Sequence, residues 1–422
     1  MIERTYVAAI AFAVLALSAG CGQSQPEQPA PAADITMTVE AASAFPGPLT
    51  GQPQLSSSDR GVILSWVEQT EKGALLKYAE HTSGTWSSPK TAASGADWFV
   101  NDADVPSVMR LGNNTLVASW LQETDARLEA YNLWLAYSKD DGVTWSRPIA
   151  PHHDGTKTQH GFASLFAAPS GVLGVVWLDG RQFELEPDAP GGGAMSLRAT
   201  TFDQDWKQGA EAPVSTRVCE CCQTSAAVTA DGPIVAYRGR TEKEIRDIYV
   251  SRLEQGAWST PVSVHADNWE VLACPVNGPA IAARGRTVAV AWFTAVNDEY
   301  HAWLARSSDA GRTWSTPVRL NDGESLGRVD VELLDDGSAV ASYVDMIDGR
   351  GQLRLRRVDA SLKPSPPVVA AGTGSARISG FPHLARSGNN LILAWNETAT
   401  EIGAGGSVSG VHASVVRLDG GR

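Results

Sequence analysis

Seven short apolar runs, each ending in an aromatic residue, constrain this chain more than any other feature of its sequence. They are Val62-Ile63-Leu64-Ser65-Trp66, Leu116-Val117-Ala118-Ser119-Trp120, Gly174-Val175-Val176-Trp177, Pro233-Ile234-Val235-Ala236-Tyr237, Val288-Ala289-Val290-Ala291-Trp292, Ala339-Val340-Ala341-Ser342-Tyr343 and Leu391-Ile392-Leu393-Ala394-Trp395. Successive aromatics are 54, 57, 60, 55, 51 and 52 residues apart. A fixed period of that length is the signature of one supersecondary unit repeated around an axis, and about fifty residues suits a four-stranded blade. The sequence therefore predicts an all-β propeller of seven four-stranded blades, with six blades as the alternative.

Each repeat supplies the other strands. A short strand opened by Pro53, Pro106, Ser164, Thr224, Pro279, Asp330 or Pro382 precedes each aromatic, and a third strand such as Leu133 to Tyr137 or His301 to Ala305 follows it. Trp-Ser-x-Pro marks a fourth strand at Trp86 to Pro89, Trp145 to Pro148, Trp258 to Pro261 and Trp314 to Pro317. The seventh repeat has no room for one. The alternating segment Ile35 to Val39 is free to supply it and close the ring, removing an open sheet edge. With 40 Gly, 23 Pro and 14 Trp among 422 residues, the chain is turn-rich and has the bulk for a large core. Its formal net charge of −13 excludes a nucleic-acid backbone as partner, because phosphate binding needs clustered Lys and Arg.

The turns before two of the fourth strands repeat one pattern. Ser138-Lys139-Asp140-Asp141-Gly142-Val143-Thr144-Trp145 and Ser307-Ser308-Asp309-Ala310-Gly311-Arg312-Thr313-Trp314 both read Ser-x-Asp-x-Gly-x-Thr-Trp. An Asp carboxylate can accept the turn's amide hydrogens there, and the Gly can take positive φ. Shorter versions stand at Ser83-Gly84-Thr85-Trp86 and Gln255-Gly256-Ala257-Trp258. The pattern resembles the Asp box (BNR repeat) of the sialidase (neuraminidase) superfamily, and with the repeat it covers nearly all of residues 35–422. In that family the Asp box is a structural turn remote from the active site.

In a blade the segments entering first strands and the loops leaving second strands share one face, opposite the Asp-box turns. A site is expected on that face, near the axis. Its candidates are Asp104, His160, Asn277, Arg328 and Arg377 on entering segments, with Arg181, Arg238 and Asp345 at or beyond second-strand ends. The resemblance implies three arginines holding a substrate carboxylate, a Tyr nucleophile helped by a Glu, and an Asp acid/base. Bidentate Arg–carboxylate pairing and a carboxyl proton donor fit that chemistry. Arg181, Arg238, Arg328 and Arg377, with His160 and Asn277, are then the candidate substrate-binding set; Tyr343, Asp345 and Asp104 are the candidate catalytic set. The chain departs from the family where an Arg-Ile-Pro element should open an early repeat: Gln52-Pro53-Gln54 and Asp104-Val105-Pro106 stand there instead, and Arg377-Ile378-Ser379 is only a fragment.

Cys219-Glu220-Cys221-Cys222 enters the fourth repeat and Cys274 the fifth, so four cysteines meet on neighbouring blades at the same face. Disulfides are expected, with Cys274 joined to one of the three and the connectivity open. The alternative is a thiolate site for copper(I) or zinc with His160 as a further ligand; otherwise no cofactor is expected. His152-His153-Asp154 reads as a solvated loop.

Residues 1–20 read as an export signal and 21–34, rich in Gln, Pro and Ala, as a flexible tether. Leu17-Ser18-Ala19-Gly20-Cys21 resembles a bacterial lipoprotein box, which implies acylation of Cys21, membrane anchoring, and a place in the periplasm or on the cell surface. Residues 35–422 are one propeller domain, expected as a monomer. Three functions remain open: a surface propeller that recognises, or as an exo-glycosidase hydrolyses, an anionic carbohydrate or glycoconjugate; a non-catalytic platform for envelope assembly; or a cysteine-based metal or redox protein.

Overall fold

The computed structural model describes residue 1 and residues 35–45, 50–112, 114–185, 193–373, 381–398 and 409–420. They form seven antiparallel sheets arranged as consecutive blades. Blade 3 shows the plan most plainly: His160–Ala168 innermost, then Val172–Asp179, Ser196–Phe202 and Ala212–Ser215, each paired to the next. The chain folds into seven blades, not six.

The seventh blade contributes His383–Ser387, Asn390–Thr398 and Ser409–Asp419, and its outer strand comes from the other end of the described chain. Thr36–Val39 pairs antiparallel with Ser409–Asp419, Thr36 opposite Asp419 and Val39 opposite Val416. The ring is closed as the unassigned alternating segment predicted, with Ser43–Phe45 adding three further pairs to the same strand.

The core is divided among the blade interfaces. Seven buried clusters lie between blades 1 and 2, 2 and 3, 3 and 4, 4 and 5, 5 and 6, 6 and 7, and 7 and 1. Each holds one aromatic of the sevenfold series: Trp120, Trp177, Tyr237, Trp292, Tyr343, Trp395 and Trp66 in that order. The aromatic of the series on each second strand, which the strand in most blades runs past, is thus the plug between its own blade and the one before. A blade exposes two apolar faces, and neither can be buried without a neighbour on both sides.

The two Ser-x-Asp-x-Gly-x-Thr-Trp turns are built alike. Asp140 Oδ1 accepts from the Ser138 hydroxyl at 2.8 Å and the Thr144 amide at 2.9 Å, and its Oδ2 accepts from the Thr144 hydroxyl at 2.6 Å. Asp309 accepts from Ser307, Thr313 and the Arg312 amide in the same way. Gly142 and Gly311 take φ of +82° and +81° there, and each donates its amide to the opening Ser hydroxyl. These bonds hold both carboxyls low, Asp140 at about 2.

Candidate functional site

The first strands of all seven blades line a cavity of 270 Å³ on the axis. Its mouth lies where the chain enters those strands, and there the backbone is irregular. Blades 1, 3 and 6 carry a β-bulge at Gly51/Gln54, Gly161/Ser164 and Gly327/Asp330. A non-glycine residue sits in the left-handed region beside each bulge: Gln52 at φ +56°, Phe162 at +49° and Arg328 at +53°. Val276, entering blade 5, takes +49°. Such conformations each cost on the order of 1–3 kcal/mol and persist only where the surroundings over-determine them; they cluster at binding sites, where a bulge re-aims a side chain.

What holds the bulges is a ring of side-chain ties between neighbouring blades. Gln52 donates to the Asn101 and Asp104 carbonyls. Asp104 Oδ2 accepts the Phe162 amide at 2.6 Å. The Thr224 hydroxyl donates to the Phe162 carbonyl, and Gln223 Oε1 accepts the Gly278 amide. Asn277 Oδ1 accepts the Arg328 amide at 2.8 Å, and Asp330 Oδ2 accepts the Leu384 amide at 2.8 Å. Glycine is required twice for this: a Cβ on Gly161 would lie 2.1 Å from Asp104 Oδ2, and one on Gly327 would lie 2.4 Å from Asn277 Oδ1. Asp104 and Asn277 therefore line the cavity as expected, yet each spends an oxygen on architecture.

Arg328 lines the cavity with its guanidinium 5.0 Å from the Phe381 ring centroid. Asp330, His383 and Glu332 join it on the wall, His383 Nδ1 lying 3.5 Å from Asp330 Oδ2. Asp330 and Glu332 stand two apart on one strand and so face the same way. Burial, reinforced by Asp330, pushes the Glu332 carboxyl up to about 8. Burial pushes Asp104 up to about 7, the Phe162 amide opposing it. Near neutrality Glu332 is mostly protonated and Asp104 about half, and each can donate a hydrogen bond in its protonated form. Neither Glu332 nor His383 was singled out from the sequence. The signal available was the pair Asp330-x-Glu332 just after Arg328, two carboxylates at alternate positions of a first strand.

Among the described residues, the structure does not bring Arg238, Arg181, Tyr343, Asp345 or His160 to this cavity. Arg238 is buried: it donates to the carbonyls of Asn277, Arg246 and Phe293 at 2.6 to 2.9 Å and lies over Trp269, and desolvation pushes it down to about 9. Arg181 grips both oxygens of Asp179 at 2.7 Å and pairs with Glu211 and Asp154, so its charge is spent within blade 3. Tyr343 is the aromatic plug between blades 5 and 6, with its hydroxyl buried and pushed up by desolvation. Asp345 is buried beside Arg354 at 3.2 Å, burial lifting it to about 6. A tyrosine nucleophile working with an aspartic acid thus has no access to the axis at Tyr343 and Asp345. Arg377 and Cys21 lie outside the described residues.

His160 is buried and stacks on His152 with centroids 3.9 Å apart, correcting the reading of His152-His153-Asp154 as a solvated loop: His152 is buried, Asp154 is half-buried with its side chain 5% exposed, and only His153 is exposed. Asp154 Oδ1 lies 3.5 Å from His152 Nδ1 and 3.2 Å from His160 Nε2. Although burial opposes it, the bonds from His152, His160 and Thr156 hold Asp154 well below the usual carboxylate range. Two imidazoles and a carboxylate are a familiar ligand set. Here the rings are parallel to within 4°, so no point near both nitrogens lies in both ring planes, and Arg181 stands 3.3 Å from the same Asp154 oxygen. The group is a buried polar network in this form.

The cysteines are joined as Cys219–Cys222 and Cys221–Cys274, the second bond linking the segments that enter blades 4 and 5. As disulfides the four sulfurs carry no thiolate charge to hold a cation.

No protein-family profile matches the chain, and no curated protein does. Among solved structures, the polysaccharide lyase Uly1 is similar over 87% of this chain and 90% of its own, at 9% identity and a TM-score of 0.50. The GH93 α-L-arabinofuranosidase of Fusarium graminearum, solved with arabinobiose, aligns over 90% of this chain and 98% of its own at 14% identity and a TM-score of 0.49. The NanB sialidase from Streptococcus pneumoniae aligns over 90% and 94% at 10% identity and a TM-score of 0.46. The fold is a β-propeller, and the likeness is one of fold.

Proposed function

We propose that this propeller recognises a carbohydrate at its axial mouth and takes up a terminal acidic sugar residue there. The observation that carries the reading is the Arg328 guanidinium, held over Phe381 on the cavity wall by a strained bulge that Asn277 pins from the next blade. An aromatic face, a fixed cation, amides and carboxyls are the donor set that sugar rings and their carboxylates engage. Glu332, mostly protonated at neutrality, puts a hydrogen-bond donor rather than a second negative charge on the wall that carries Arg328, which lowers the repulsion an incoming carboxylate meets. The cavity of 270 Å³ sits near the lower end of small-ligand sites, about 300–1,000 Å³, which favours one sugar ring over a threaded chain.

The test is a glycan array that includes uronic-acid-terminated, sialic-acid-terminated and neutral glycans, probed with the wild type and Arg328→Gln. Acid-terminated glycans should be retained and should lose more than tenfold affinity in the variant, since removing a desolvated charged partner costs roughly 2–5 kcal/mol. Retention of no glycan, or equal retention by the variant, would refute the reading. The lipoprotein-like segment supports placing this mouth outside the cell on an acylated Cys21; Cys21→Ser should then move the protein from the membrane to the soluble fraction.

A further inference from the structure

The four sulfurs form a path from the surface inward. Cys274 is exposed and Cys221 half-buried, while Cys219 and Cys222 are 1% and 2% exposed. The two disulfides are in contact, because Cys221 Sγ lies 3.8 Å from Cys219 Sγ. Cys219 is held in place by its amide on the Arg238 carbonyl at 2.9 Å, and its sulfur receives the Arg246 guanidinium at 3.4 Å. Arg246 is itself fixed by Glu220 and Glu244. Held this way, Cys219 Sγ stays within 3.8 Å of the Cys221 sulfur.

We propose that these disulfides are an exchange relay, in which a small dithiol acting on the exposed bond moves the buried one. The external dithiol attacks Cys274 Sγ, forming a mixed disulfide and releasing Cys221 as a thiolate. Cys221 then attacks the Cys219 sulfur beside it; the Cys219–Cys222 bond breaks, a Cys219–Cys221 bond forms, and Cys222 leaves as a thiolate that takes up a proton. The second thiol of the reductant displaces Cys274 as a thiol. The balance is one dithiol oxidised to its disulfide, one protein disulfide reduced, and the surviving protein bond transferred. The loops that are freed carry Gln223, one residue after Cys222, and Asn277, three after Cys274, so the exchange acts on two of the ties at the mouth.

Native full-length protein treated with one equivalent of dithiothreitol, quenched by alkylation and mapped by mass spectrometry reads the outcome. The expected product has a Cys219–Cys221 bond with Cys222 and Cys274 alkylated. Alkylation of Cys221 and Cys274 with Cys219–Cys222 intact would overturn the relay, as would resistance of both bonds. Cys274→Ser provides a second measurement without reductant: label should divide between Cys221 and Cys222, and label confined to Cys221 would refute transfer. If that variant fails to fold, the wild-type trapping decides the question alone.

Discussion

Asp104 illustrates how much one side chain can be asked to do at a propeller axis. It faces the cavity, ties blade 2 to blade 3 through the Phe162 amide, and titrates at about 7 because it is buried. Its folded pKa lies above the unfolded value near 4, so the native state binds the extra proton between about pH 4 and 7. The stability it contributes is complete below pH 4 and is lost as pH rises through 7. Glu332 at about 8 and Asp345 at about 6 act in the same direction. The carboxyls held low, such as Asp140 at about 2, matter only in stronger acid. Stability to urea should therefore fall from pH 5 to pH 8. Asp104→Asn, whose amide oxygen can still accept the Phe162 amide, should flatten that fall by on the order of 2 kcal/mol; an unchanged slope would show that Asp104 is charged throughout. The sequence marked Asp104, Asn277 and Arg328 as mouth residues because position along a first strand fixes nearness to the axis. It could not mark Arg181 and Arg238 as spent, because their partners, Asp179 with Glu211 and three backbone carbonyls, are set by packing across loops and blades.

At the scale of the strand, Trp-Ser-x-Pro acquires a physical reason. Proline has no amide to give the ladder, so the outer strand is interrupted there. In blades 1, 2, 4 and 5 the serine before it donates its amide to the third-strand carbonyl and, in place of a ladder carbonyl, accepts the same residue's amide on its hydroxyl, Ser87 from Glu80, Ser146 from Tyr137, Ser259 from Arg252 and Ser315 from Arg306, at 3.0 to 3.1 Å. Ser365 does the same for Arg357 in blade 6, where no Trp announces it. The turns before these strands recur every third blade. Blades 1 and 4 use two left-handed residues, Ser83-Gly84 and Gln255-Gly256; blades 2 and 5 use the Ser-x-Asp turn; blades 3 and 6 use an Asp whose carboxylate accepts the amides two and four residues on, Asp203 and Asp359. That third form lay unread in the sequence because Asp203-Gln204-Asp205-Trp206-Lys207 and Asp359-Ala360-Ser361-Leu362-Lys363 share only their ends. Ser315→Ala should leave the Arg306 amide without its acceptor and cost about 1 kcal/mol, read as a lower midpoint in thermal unfolding; Ser315→Thr, which keeps the hydroxyl, should recover most of it.

For the molecule as a whole, the repeat was legible because every blade buries a Trp or Tyr at the same place in its interface with the blade before. The mouth was less legible, since its side chains come from seven loops of different length. Closure depends on Thr36–Val39, which covers the last strand of blade 7 with Met37 and Val39 packed beside Trp395 and Leu418. Without it, Ser409–Asp419 would present an unpaired edge to other chains, and the cluster between blades 6 and 7 would lose part of its cover. Two truncations separate this role from that of the preceding residues. A chain beginning at Ile35 should unfold at the same temperature as the full sequence and elute at the same volume from a sizing column. A chain beginning at Ser43 keeps the Ser43–Phe45 pairs but not the outer strand, and should melt several degrees lower and form higher-order species through the bare edge. Equal melting and elution of the two would mean that the three pairs at Ser43–Phe45 close the ring alone.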